Sequence, residues 1–133
     1  MASLEVHLVT PEREVWAGEA DFVTARGVDG DLGVLPGHAP LLAALAVGPV
    51  FIEAGGSRTA VAVDGGFLHV AGADDDVTRV DILAERAVLP DELGGDDAET
   101  HERRAEELRS EDRLDEAREE QAKATVRRRV AES

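Results

Sequence analysis

Residues 30–45 read GDLGVLPGHAPLLAAL, and this run decides the fold class. Gly30, Gly33, Pro36, Gly37 and Pro40 crowd into eleven positions. Glycine admits positive φ and proline fixes φ, so this density excludes a regular helix. Among them stand Leu32, Val34, Leu35, Leu41, Leu42 and Leu45, which supply apolar surface to bury. The run therefore reads as a shaped, partly buried loop between two strands. Its one titratable base, His38, sits between Gly37 and Ala39.

On both sides of this loop the pattern is β. Leu4-Glu5-Val6-His7-Leu8 alternates, which puts Leu4, Val6 and Leu8 on one face. Phe51–Ala54 and Thr59–Val63 flank Gly55-Gly56-Ser57-Arg58, a hairpin signal with a slightly long loop. Asp64-Gly65 tolerates the positive φ that strand twist demands, so a tight hairpin turn is expected there. Ala73-Asp74-Asp75-Asp76 separates Phe67–Ala71 from Val77–Leu83. Short strands at close spacing, with no helix between them, indicate an antiparallel sandwich or barrel.

Composition changes near Pro90. Residues 1–90 hold 14 acidic and 5 basic side chains, whereas 91–133 hold 15 and 9, so 24 of the last 43 residues are charged. The second part reads as helix. Gly94-Gly95 is expected to act as a hinge, and Asp96 or Asp97 to cap a helix in which Ala98, His101, Ala105 and Leu108 follow 3-4-3 spacing. Ser110-Glu111-Asp112 breaks that pattern and is expected to cap a second helix. There Leu114, Ala117, Gln121 and Ala124 form one stripe, and Ala122, Val126 and Val130 a neighbouring one. Glu99–Arg103 and Glu119–Lys123 are i,i+4 pairs in the favourable order. Arg127, Arg128 and Arg129 end the helix where its dipole favours cations. Leu108 and Leu114 are the expected large anchors of this hairpin. An alanine face stabilises by under about 1 kcal/mol per methyl, so weak, reversible docking is expected.

Several function classes are disfavoured. The chain has 133 residues, no cysteine and a net charge of −15. Without cysteine there are no disulfides and no thiolate metal sites. The charge opposes nucleic-acid binding and adsorption to anionic lipid. No apolar run reaches the roughly 18–20 residues of a membrane span, so direct membrane insertion is not expected. The start, Met-Ala-Ser-Leu-Glu-Val-His, lacks the basic and apolar regions of a signal peptide.

Site motifs are sparse. His38 with Asp31 would make a small hydrolase only with an orienting acid and a nucleophile together, and no serine or cysteine lies near in sequence. Asp29-Gly30-Asp31 and Asp74-Asp75-Asp76 lack the spacing of a calcium loop and read as turns. His7, His38, His69 and His101 show no ligand pairing at i,i+3 or i,i+4, so no metal is expected. Gly65-Gly66 precedes a strand, whereas a phosphate loop leads into a helix.

The run at 30–45 resembles the signature of the epsilon subunit of the F-type proton-translocating ATP synthase. Val9-Thr10-Pro11-Glu12, Glu19–Val23, Gly65-Gly66-Phe67-Leu68 and Val80–Ala84 resemble other pieces of that family, in its order and spacing over residues 4–87. The resemblance implies a mainly β protein with α: an N-terminal antiparallel β-sandwich (1–88) that binds the gamma subunit and the c-ring, then a two-helix antiparallel hairpin (89–133) that regulates. It implies a non-catalytic rotor subunit at the cytoplasmic face of the cell membrane, coupling proton flow to ATP synthesis and restraining hydrolysis. Asp29, Gly30, Asp31 and His38 would form the loop facing the c-ring and gamma. Arg103, Arg104, Arg127, Arg128 and Arg129 would face acidic loops of the beta subunit as the hairpin reaches toward the alpha/beta subunits, or else form a solvated helix end. Some family members bind ATP at the hairpin through an Asp and an Arg-Ala pair; here Gly94 and Asp97 stand at the Asp and Arg positions, so no cofactor is expected. A free adaptor or chaperone-like module with a helical arm would share the same composition.

Overall fold

A computed structural model describes residues 2–74, 76–94 and 97–132. The expectations for Asp75, Gly95 and Asp96 lie outside the described residues. Eight strands come first: β1 (Ser3–Val9), β2 (Glu14–Ala20), β3 (Phe22–Gly27), β4 (Gly30–Val34), β5 (Leu41–Ala54), β6 (Ser57–Asp74), β7 (Val77–Ala84) and β8 (Ala87–Val88). Two helices follow, α1 (Ala98–Ser110) and α2 (Leu114–Ala131). The fold is thus the mainly β sandwich with a two-helix hairpin that the sequence indicated.

The strand order is β2-β1-β7-β6-β5-β3-β4, with β8 on β6. All pairs are antiparallel except β1 with β7. β5 and β6, at 14 and 18 residues, are long enough to serve both layers. One half of β6 pairs with β8 at Ala62 and Val63; the other half pairs with β7 from Gly66 onward. Inward residues alternate as the pattern required: Leu4, Val6 and Leu8 are fully buried, as are Val80 and Ile82.

Three local expectations are corrected. Asp64-Gly65 does not turn the chain, because β6 runs straight through it. The positive φ of Gly65 (96°) and Gly66 (137°) instead lets the strand change partners. At Gly66 a Cβ would stand 2.0 Å from the Leu83 carbonyl oxygen, so close approach of β7 also demands glycine. The β5–β6 connection is tighter than expected: Ala54 pairs with Ser57, leaving a two-residue turn at Gly55 and Gly56. The 30–45 run is loop only at 35–40; its ends are β4 and the start of β5.

The hairpin leaves the sandwich through a 3₁₀ turn at Pro90–Glu92. There the Glu92 carboxylate accepts from Leu89 N and from Arg13 of the β1–β2 turn. Asp97 caps α1, accepting from the Thr100 backbone N–H and hydroxyl at 2.9 and 2.8 Å. Ser110 and Asp112 do not cap α2. The Ser110 hydroxyl donates back to the Glu107 carbonyl, and the N-cap is Arg113, with no side-chain cap bond.

The docking face differs from expectation as well. Leu114 is 50% exposed and Leu108 only half-buried, so neither anchors the hairpin. Val126 and Val130 do, packing on Phe51, Ala60, Ala62 and Val88 of the outer sheet face. α1 lies against α2, with His101 and Ala105 buried in the seam opposite Ala117 and Ala124.

Candidate interaction sites

Arg127 lies between Val126 and Val130 on the docking face of α2, and helical geometry aims all three at the sheet. Beneath it, the change of partners in β6 leaves Asp64 on the sheet. Arg127 donates from Nη1 to Asp64 Oδ1 at 2.7 Å and from Nη2 to Oδ2 at 2.8 Å. Nη1 also donates to the Lys123 carbonyl at 3.3 Å. This fork-on-carboxylate arrangement is the strong, directional form of ion pair. The other arginines singled out from sequence go elsewhere. Arg128 pairs with Glu102 of α1. Arg129 stands 5.3 Å from the Phe51 ring centroid, and Arg58 covers the same ring at 3.7 Å. Arg103 reaches Glu99 at 3.7 Å. Arg104 lies on the exposed part of α1, close enough to Glu120 to favour its ionised form. The three terminal arginines are therefore not one solvated end: Arg127 is buried because the sheet offers it a carboxylate.

Asp29, Gly30 and Asp31 sit at the β3–β4 turn, where Arg26 Nε donates to Asp31 Oδ1 at 3.1 Å. His38 belongs to the 35–40 loop at the far end of β4. The structure therefore does not gather these four residues on one loop. The His38 backbone N–H donates to the Leu35 carbonyl, and its ring Nδ1 lies 2.7 Å from the Ala39 carbonyl. Gly37 N–H donates to the Thr78 hydroxyl at 2.8 Å, which ties the loop to β7. With Asp31 on Arg26 and His38 at the other end of the strand, these two residues do not form the acid–base pair that a hydrolase would need.

Sequence reasoning missed one surface. Phe67 pairs with Leu83, which pairs with Val9, so three apolar residues cross β6, β7 and β1 in one row. Phe67 and Leu83 are 52% and 54% exposed, and Leu42 beside the row is 67% exposed. The signal was present as apolar residues on both phases of a strand: Phe67 beside Leu68, and Leu83 beside Ile82. No helix among the described residues is long and apolar enough to cross a membrane.

Comparison with known proteins places this geometry in a family. Residues 3–90 match the family described as ATP synthase, Delta/Epsilon chain, beta-sandwich domain. The chain is 52% identical over 87 residues to an ATP synthase epsilon chain of Frankia casuarinae, covering 65% of this chain and 96% of that one. It is 41% identical over 132 residues to the epsilon chain of Corynebacterium diphtheriae, covering 98% of each. Among solved structures it is similar to a chain of the Euglena gracilis mitochondrial ATP synthase, solved as an OSCP/F1/c-ring assembly. That match has a TM-score of 0.70 and 27% identity, covering 99% of this chain and 79% of that one.

Proposed function

We propose a function from the premise that this chain belongs to the ATP synthase delta/epsilon chain family. It is a central-stalk subunit of F-type ATP synthase, part of an enzyme complex and itself without catalytic groups. Its partners are the gamma subunit, the c-ring and the alpha/beta subunits. The sandwich grips gamma and rests on the c-ring, so that rotation driven by proton flow reaches the nucleotide sites. The observation that carries this reading is the apolar row Val9–Leu83–Phe67, half-buried at Val9 and exposed at Leu83 and Phe67. A monomer gains nothing by leaving such a row in water, whereas a stalk partner covers it. The polar turn at Asp29–Asp31 and the His38 loop lie outside that row and suit the hydrated loops of a membrane ring. Attachment at the cytoplasmic face of the membrane then comes through those partners.

The hairpin restrains ATP hydrolysis by leaving the sandwich and reaching the alpha/beta subunits. Its anchors on the sandwich are two valines and one ion pair, which suits reversible docking. In this reading nucleotide takes no part in the control, since Gly94 and Asp97 stand where nucleotide-binding family members carry an Asp and an Arg. The test uses complex reconstituted with the full chain, with Phe67→Glu, or with residues 91–133 deleted. Phe67→Glu should lower retention of the chain on gamma at least tenfold without changing its thermal transition. The deletion should leave proton-driven synthesis intact and raise hydrolysis. Unchanged retention would remove the apolar row as the gamma contact; unchanged hydrolysis would remove the regulatory role.

A further inference from the structure

Arg127 is the largest fully buried side chain among the described residues, and it is a charge. Its partner Asp64 is 4% exposed at the side chain. A leucine at position 127 would extend the apolar contact of Val126 and Val130. Buried ion pairs seldom outdo such apolar contacts in stability, but losing one partner is severe because the other is stranded without solvent. An ion pair has one further property that an apolar contact lacks. Once the joint opens, both groups are welcome in water or on another charge, so the separated halves expose no new apolar surface at this point.

The neighbouring arginines sharpen the argument. Arg128 is paired inside the hairpin, with Glu102 of α1, and so does not tie α2 to the sandwich. Arg127 and Arg129 take partners from the sandwich, Asp64 and Phe51. Lifting α2 therefore strips both of these contacts at once. Arginine presents a planar fork that matches any carboxylate in the same way, so a second acidic partner can replace Asp64.

We propose that Arg127 is an exchangeable latch. Through Asp64 it holds the hairpin on the sandwich; released, it gives the same guanidinium to a carboxylate on a catalytic subunit, so the two positions exclude each other. The exchange rests on the regulatory reading above, whereas the latch itself belongs to the isolated chain.

The absence of cysteine allows clean labelling for the test. Ser57→Cys and Thr125→Cys, both at exposed positions, carry a donor and an acceptor dye on the sandwich and on α2. In the isolated full chain, Asp64→Asn and Arg127→Gln should each lower the ratio of docked to undocked molecules at least tenfold. Arg128→Gln should leave it within twofold. Circular dichroism confirms that the sheet is intact. Should either variant fail to fold, Arg127→Lys, which keeps charge and loses the fork, should give a smaller but measurable fall. A ratio unchanged in every folded Asp64 and Arg127 variant overturns the latch. In reconstituted complex, Asp64→Asn should inhibit hydrolysis more strongly than wild type, and Arg127→Gln less strongly than Asp64→Asn. Equal inhibition by the two overturns the exchange. A wild-type chain that leaves hydrolysis unaltered overturns the regulatory reading and the exchange with it, while the dye ratio still decides the latch.

Discussion

His101 of α1 and Glu120 of α2 meet in the seam of the hairpin, with His101 Nδ1 2.5 Å from Glu120 Oε2. His101 is 3% exposed, so the contact is shielded from solvent on the histidine side. Burial works against ionising Glu120, but the hydrogen bond from His101 and the charges of Lys123, His101 and Arg104 outweigh it and hold its carboxyl below the ordinary range. Asp97 is likewise held low, by the hydrogen bonds it accepts as the cap of α1 from the Thr100 backbone and then from its hydroxyl.

These two carboxylates predict how the hairpin responds to acid. Both are easier to ionise folded than unfolded, so their contribution is complete above the unfolded values of 4.5 and 3.8 and is lost as pH falls through the lower folded values. The hairpin should therefore lose stability as pH falls below the unfolded value of 4.5, followed by circular dichroism at 222 nm. The stability difference between wild type and Glu120→Gln should be largest at neutral pH and vanish at the acid end. A difference that stays constant with pH would show that the seam contact does not act through ionisation.

Truncation after Leu89 should leave a folded sandwich. The larger core cluster is built wholly from residues 4–89, including Leu4, Ile52, Leu68 and Ile82. The truncated chain should keep a single cooperative thermal transition, at a lower temperature because Phe51, Ala60, Ala62 and Val88 lose their cover from α2. Within it, Ile52→Ala should cost about 2–5 kcal/mol, the range for a large-to-small change in a fully packed site. A truncated chain without a transition would make the hairpin part of the fold rather than an attachment to it.

The anchors of the hairpin can be ranked by substitution. Leu114 is half in solvent, so Leu114→Ala should change stability by no more than about 0.5 kcal/mol. Val126→Ala and Val130→Ala remove methyls from a buried cluster and should speed amide exchange throughout α2 while sparing β1 and β7. If Leu114→Ala speeds that exchange more than Val126→Ala does, the docking face has been assigned to the wrong side of the helix.

Glycine substitutions should separate shape from space. Gly66→Ala meets the Leu83 carbonyl and a positive φ together, so it should destabilise the sandwich strongly, read as a fall in melting temperature. Gly37 has positive φ (89°) but open space around it. Gly37→Val should keep the fold and weaken assembly by altering the His38 loop. His38→Ala should do less, because its ring meets only a neighbouring carbonyl. Gly33 has no positive φ; its limit is the Phe22 ring, 3.1 Å from where a Cβ would lie. A Gly66→Ala protein as stable as wild type would mean that β7 can shift away at no cost.

Local chemistry settled much of the molecule. The alternation at Leu4–Leu8, a hairpin connection at Gly55-Gly56, an aspartate cap at Asp96 or Asp97 and the i,i+4 pairs of the hairpin depend on neighbours a few residues apart, so the sequence alone determined them. The two-part architecture followed from the change in charge density near Pro90. Tertiary structure decided what depends on residues far apart in the chain. Asp64 and Arg127 are separated by 63 positions, so nothing nearby could show that an apparent turn aspartate is the buried counter-ion of a helix arginine. The row Val9–Leu83–Phe67 exists only because register brings three strands side by side. Whether α2 rests on its leucine or on its valines was set by which side of the helix meets the sheet, and periodicity leaves that choice to packing.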